Sequence, residues 1–245
     1  MAGVSKFGRY IFALAALAFG VILLLHLASA AIPEGGFPFS VASHFWAWAI
    51  GVIWIVAGVG LMTEAYAPAA LLLAAVLLLR AVMVCLPLIF VDLHKPNPWG
   101  ALFELLGIAG AALVIGGGLG VKPGRALYTV PLIGFATQHF MYAPFVAALV
   151  PSWIPGHLFF AYFVGIALCA GALAILTGVG MRAGALLLGL MFFSWVFILH
   201  LPRAFAAPHT GAEWTSAFNA LAMAGGAFVI AALGQASDGI RRPNF

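Results

Sequence analysis

The sequence predicts an all-α polytopic membrane protein, with eight transmembrane helices forming two parallel four-helix bundle repeats. Three observations carry that expectation. Of the 245 residues, 65% are hydrophobic and 7% charged, with a mean hydropathy of +1.18; a soluble domain carries about a quarter charged residues. The chain breaks into eight apolar runs, each near the ~20 residues that a spanning helix needs. The second four runs repeat features of the first at a nearly constant offset.

The low charge excludes a soluble enzyme, a secreted disulfide scaffold, a disordered protein and a nucleic-acid-binding module. Ten Lys and Arg against six Asp and Glu leave a net charge of +4, but in a membrane protein the location of charge matters more than its sum. Cys85 and Cys169 both lie in apolar runs without CxxC or metal-type spacing, so they read as buried thiols rather than a disulfide framework.

The eight runs cover residues 10–31, 44–62, 68–90, 98–118, 126–149, 155–176, 183–201 and 214–233. The first imitates a signal peptide, with Lys6 and Arg9 before it and Ala28-Ser29-Ala30 as an A-x-A site; we expect it to be kept as a helix. Pro68, Pro98 and Pro155 mark first helical turns, where a missing N–H costs nothing. Only short loops separate the runs. With the N-terminus inside, Lys6, Arg9, Lys122, Arg125, Arg182, Arg241 and Arg242 fall on the inner side, and only Lys95 and Arg203 on the outer. The positive-inside rule then places both termini in the cytoplasm. The expected location is the cell's inner membrane, as a multi-pass protein.

The repeat divides the chain into units 1–121 and 122–245. Leu86-Pro87 and Phe90 recur 115 residues later as Leu201-Pro202 and Phe205. At the same offset Phe103, Ala109-Gly110, Ala112 and Val114-Ile115 meet Phe218, Ala224-Gly225, Ala227 and Val229-Ile230. Gly8-Arg9 matches Gly124-Arg125, and His44 and Gly58 match His157 and Gly171, at offsets within two residues of that value. Four helices per unit is an even number, so both copies point the same way. A pseudo-two-fold axis along the membrane normal follows.

The second unit carries His139-Phe140, then Val150-Pro151-Ser152-Trp153-Ile154-Pro155-Gly156-His157, then Phe160-Ala161-Tyr162-Phe163 with Gly165, and later Leu199-His200-Leu201-Pro202-Arg203. This order resembles the DoxX-like family of small four-helix membrane proteins, over roughly residues 124–233. The first unit keeps His44 and Pro87 but lacks the Pro-x-Trp-Ile-Pro loop. The family takes its name from a subunit of an archaeal thiosulfate:quinone oxidoreductase, and other members accompany redox, stress and assembly proteins. The resemblance implies a fold and a redox- or quinone-linked setting; it assigns no catalytic residue.

All seven histidines fall in the outer half of the expected topology, which suggests a polar site facing outward. We expect His139, His157 and His200 to converge with Arg203 in the outer half of the second bundle. Gln138 and Tyr142 flank His139 as further ligand-binding candidates. Neutral His both donates and accepts, and Arg holds an anion or polar head group. The competing reading is that these residues only anchor helix ends. Arg80 and Glu104 are expected inside the membrane, where each charge costs ~2.5–3.5 kcal/mol or more on insertion scales. They are expected to pair across the 91–97 turn. At the repeat offset their positions hold Trp195 and Asn219, and Cys85 becomes His200.

Three functions follow from these features. The first is a redox membrane subunit binding quinone near the outer face; haem is disfavoured, because His26 and His139 sit about a turn apart in depth. The second is a non-catalytic accessory or assembly subunit, favoured by short loops and by the small-residue stretches 69–75 and 107–118, which suit packing against other membrane subunits. The third is a metal handler or transporter, for which no H-x₃-H pair or Cys cluster exists, so no metal ligand is assigned. In all three the lipid bilayer is the surrounding partner.

Overall fold

The computed structural model describes residues 2–28 and 43–240, with side chains described for 3–25 and 48–234. The side chains of His26 and His44, residues 29–31 with most of the A-x-A motif, and Arg241 and Arg242 lie outside what is described.

The described residues are helical, with no strand among them. In order they form α1 (Ala2–Ala28), α2 (Ser43–Met62), α3 (Tyr66–Arg80), α4 (Leu86–Val91), α5 (Pro96–Gly116), α6 (Val121–Met141), α7 (Ala143–Leu149), α8 (His157–Thr177), α9 (Met181–Trp195), α10 (Leu201–Ala206) and α11 (Gly211–Ile240). Among the described residues, six stretches are long and apolar enough to cross a bilayer, and a seventh arises if α6 and α7 count as one bent span. The apolar part of α2, Trp48–Met62, is shorter. This is a multi-pass membrane architecture.

α3 and α4 form one rod, joined by a π turn over Ala81–Cys85; α9 and α10 form another, joined by a π turn over Val196–His200. Each π turn precedes a Leu-Pro pair. Pro87 and Pro202 lack an N–H, and their rings crowd the carbonyl four residues back. Widening the turn answers both problems: the Leu86 N–H reaches the Ala81 carbonyl, and the Leu201 N–H reaches the Val196 carbonyl.

Three expected boundaries are corrected. The run 126–149 is not straight: α7 turns 97° away from α6. Tyr142 leaves the helical region at φ −116°, ψ 32°, and Pro144 in the first turn of α7 cannot continue the α6 ladder. Pro155 precedes its helix, because Gly156 sits in the left-handed region at φ +75° and α8 begins only at His157. The run expected to close at Leu201 continues to Ala206, since the π turn absorbs Pro202. Pro68 and Pro98 do lie in first turns, at the third residues of α3 and α5.

Packing follows a closed circuit. α1 packs on α2, α2 on α3, α3 on α5, α5 on α6, α6 on α8, α8 on α9, α9 on α11, and α11 back on α1; α5 and α11 also meet across the middle. α11 is the most enclosed helix, with 83% of its apolar window buried against 22–50% in the other five long stretches. Its Ala-Met-Ala-Gly-Gly-Ala run explains why: small side chains let backbones approach without an aqueous hydrophobic force. A Cβ on Gly225 would lie 2.7 Å from the Gly8 carbonyl of α1, and one on Gly124 would lie 2.7 Å from the Gly110 carbonyl of α5. These contacts join α1 to α11 and α6 to α5 in the same manner.

Candidate functional site

The polar centre of the bundle lies where α5 meets α11. Glu104 stands two turns into α5, half-buried, and its Oε2 accepts a short hydrogen bond from Asn219 Nδ2 on α11. Asn219 is 7% exposed. Two turns further along, a Cβ on Gly226 would collide with the Ala111 Cβ. Residues 104 and 219, and again 111 and 226, are each 115 apart and face each other. Two such matches along one pair of helices require that α5 and α11 run parallel.

Arg80 closes α3 just before its π turn, and Cys85 closes that turn. Both lie within electrostatic range of Glu104 and of each other. Cys85 is a buried free thiol. A cation, a carboxylate, an amide and a thiol thus gather among α3, α5 and α11. Such a group can hold or pass a proton or orient a polar head, and an intramembrane charge is a functional candidate by default.

The structure divides the expected ligand set between α10–α11 and the α6–α7 bend. Arg203 on α10 grips Glu213 at the start of α11 with two parallel bonds, Nε to Oε2 at 3.0 Å and Nη2 to Oε1 at 2.7 Å. His200, half-buried in the π turn, lies within electrostatic range of both. Gln138, His139 and Tyr142 instead cluster at the α6–α7 bend. His139 Nδ1 lies 2.8 Å from the Phe135 carbonyl, so Nδ1 carries the proton and Nε2 remains an acceptor. The Gln138 carbonyl accepts the Tyr142 N–H at 2.8 Å, and the Tyr142 side chain is exposed. His139 lies in the last turn of α6, which ends at Met141. His157 opens α8, half-buried.

Two partners were missed from sequence. Glu213 is the acidic residue just across the loop from Arg203, close enough in the chain to have been noticed. Asn219 is the residue that the expected repeat sets opposite Glu104 in sequence, but that the two touch depends on how α5 and α11 pack. The turns before α5 and α11 also close alike: Trp99 Nε1 donates to the Leu93 carbonyl at 3.1 Å, and Trp214 Nε1 to the Pro208 carbonyl at 3.0 Å. Among the described residues, no three His, Cys, Asp or Glu side chains assemble as a metal site.

Comparison with protein-family models, with curated proteins and with solved structures gave no match.

Proposed function

We propose that this chain is an integral subunit of a larger membrane system that works through association, not through chemistry of its own. The observation that carries the reading is the bidentate Arg203–Glu213 pair. The guanidinium chosen from sequence as an anion or quinone holder already has its preferred partner, and that partner ties α10 to α11. His139 is likewise fastened through Nδ1 to its own helix. The polar residues of the outer end serve the bundle first.

In this reading the chain crosses the inner membrane eight times, as two parallel repeats with both termini cytoplasmic. The π turns, tryptophan-closed turns and glycine contacts recurring near 115 residues support the duplication. The DoxX-like resemblance of the second unit supplies the redox- or quinone-linked setting. A second reading, direct quinone binding, is favoured by the Glu104, Arg80 and Cys85 group, whose charges the other unit lacks.

The test is to extract the full-length protein from its native membrane in a mild detergent and cross-link it. Stoichiometric co-purifying membrane subunits are the expected result. A chain that purifies alone and carries extractable quinone overturns the subunit reading in favour of the second.

A further inference from the structure

At the end of the molecule opposite Glu104, α6 and α8 leave a cavity of about 250 Å³ lined by Lys122, Arg125, Ala126, Ile175 and Leu176. Arg125 is half-buried. Its Nη2 donates a short hydrogen bond to the Ile175 carbonyl, in the last turn of α8. Its Nε is buried and has no hydrogen-bond partner among the described residues. A buried donor left unmade is costly, and a guanidinium fork matches the oxygens of a phosphate or carboxylate. Among the described residues, no carboxylate forms a salt bridge with Lys122 or Arg125.

The other unit offers an internal comparison. Arg9 is the repeat counterpart of Arg125, and its Nε is also buried without a partner among the described residues. There, however, the guanidinium lies 4.2 Å from the centre of the Tyr66 ring and 5.4 Å from that of Tyr10. Aromatic faces satisfy that cation. Around Arg125 a cavity stands instead, with exposed Lys122 also lining it and Ala126 and Leu176 as exposed apolar wall.

We propose that this cavity binds the phosphate of an anionic phospholipid, held by Arg125 and Lys122, with an acyl chain along Ala126 and Leu176. Two cations beside an apolar wall suit an amphiphile with an anionic head, and basic pockets between helices on the cytoplasmic side bind such head groups. The positive-inside orientation puts Lys122 and Arg125 on that side. The proposal stands independently of any partner subunit.

The experiment offers the full-length protein equal phosphatidylglycerol and phosphatidylcholine in mild detergent and counts retained lipid by native mass spectrometry. Wild type should prefer phosphatidylglycerol, and Lys122→Gln should lower that preference about fivefold, the worth of one cation at the membrane surface. Arg125→Lys, which keeps charge but loses the fork, should also lower it, while Lys6→Gln should not. Lys122 is exposed, so its variant folds and keeps the test decisive. Equal retention of both lipids, or a preference unmoved by Lys122→Gln and Arg125→Lys, overturns the proposal. So does displacement of the lipid by inorganic phosphate alone, which would mark a free-anion site.

Discussion

Asn219 on α11 hydrogen-bonds Glu104 on α5, 115 residues earlier in the chain. A polar pair between two packed helices fixes depth and register for both at once. In lipid, sliding α11 by one turn leaves the carboxyl and the amide with no water to replace the bond.

Asn219→Leu should therefore destabilise the protein by about 0.6–2 kcal/mol, the range for interhelical polar contacts in membranes. Glu104→Gln preserves an acceptor oxygen and should cost less. Reversible unfolding in mixed micelles measures both. A neutral Asn219→Leu would show that the bond contributes nothing to packing.

The close helix approach at Gly225 makes a different demand. A Cβ there meets the Gly8 carbonyl and the Phe12 nitrogen, both at 2.7 Å, and backbone atoms cannot rotate away. Gly225→Leu should cost about 1–3 kcal/mol or more through overpacking. Gly100, with nothing within 4 Å of its Cβ position, should accept Ala with a gain of about 0.5–1 kcal/mol from helix propensity. Thermal unfolding of the two variants side by side checks the contrast.

Arg203 and Glu213 form a bidentate pair, but their side chains are 36% and 22% exposed. Solvent screens them, so Glu213→Gln should cost at most about 1 kcal/mol. The exchange Arg203→Glu with Glu213→Arg should recover part of what Arg203→Glu loses. A double-mutant cycle gives the coupling, and a value of zero would remove the pair as the clasp between α10 and α11.

Topology is tested by labelling single cysteines in a Cys85→Ala, Cys169→Ala background. Residues 94, 153 and 209, all exposed in turns, should react with an impermeant thiol reagent from the outer side. Residues 122 and 182 should react only from the inner side. Label at 94 and 122 from one side would dismantle the eight-span arrangement.

Composition alone determined that the chain is helical and lives in a bilayer, because so few charges cannot cover a water-facing surface. Spacing of identities near 115 residues pointed to paired structural features, and the structure places matching π turns at Ala81–Cys85 and Val196–His200. The local pattern could not show that those turns are π, or that α6 bends at Tyr142. An apolar run reads alike whether straight or broken, and one proline is absorbed in a span while another ends it. Nor could it choose partners for the polar residues. Arg203 reads as available for a ligand until folding brings Glu213 beside it, and that Glu104 meets Asn219 on α11 is not legible from its own stretch of chain. Hydropathy sets which residues leave water. Only the three-dimensional packing of α5, α10 and α11 decides which polar groups they meet there, since that depends on helix rotation and depth, and neither is written in any local stretch of chain.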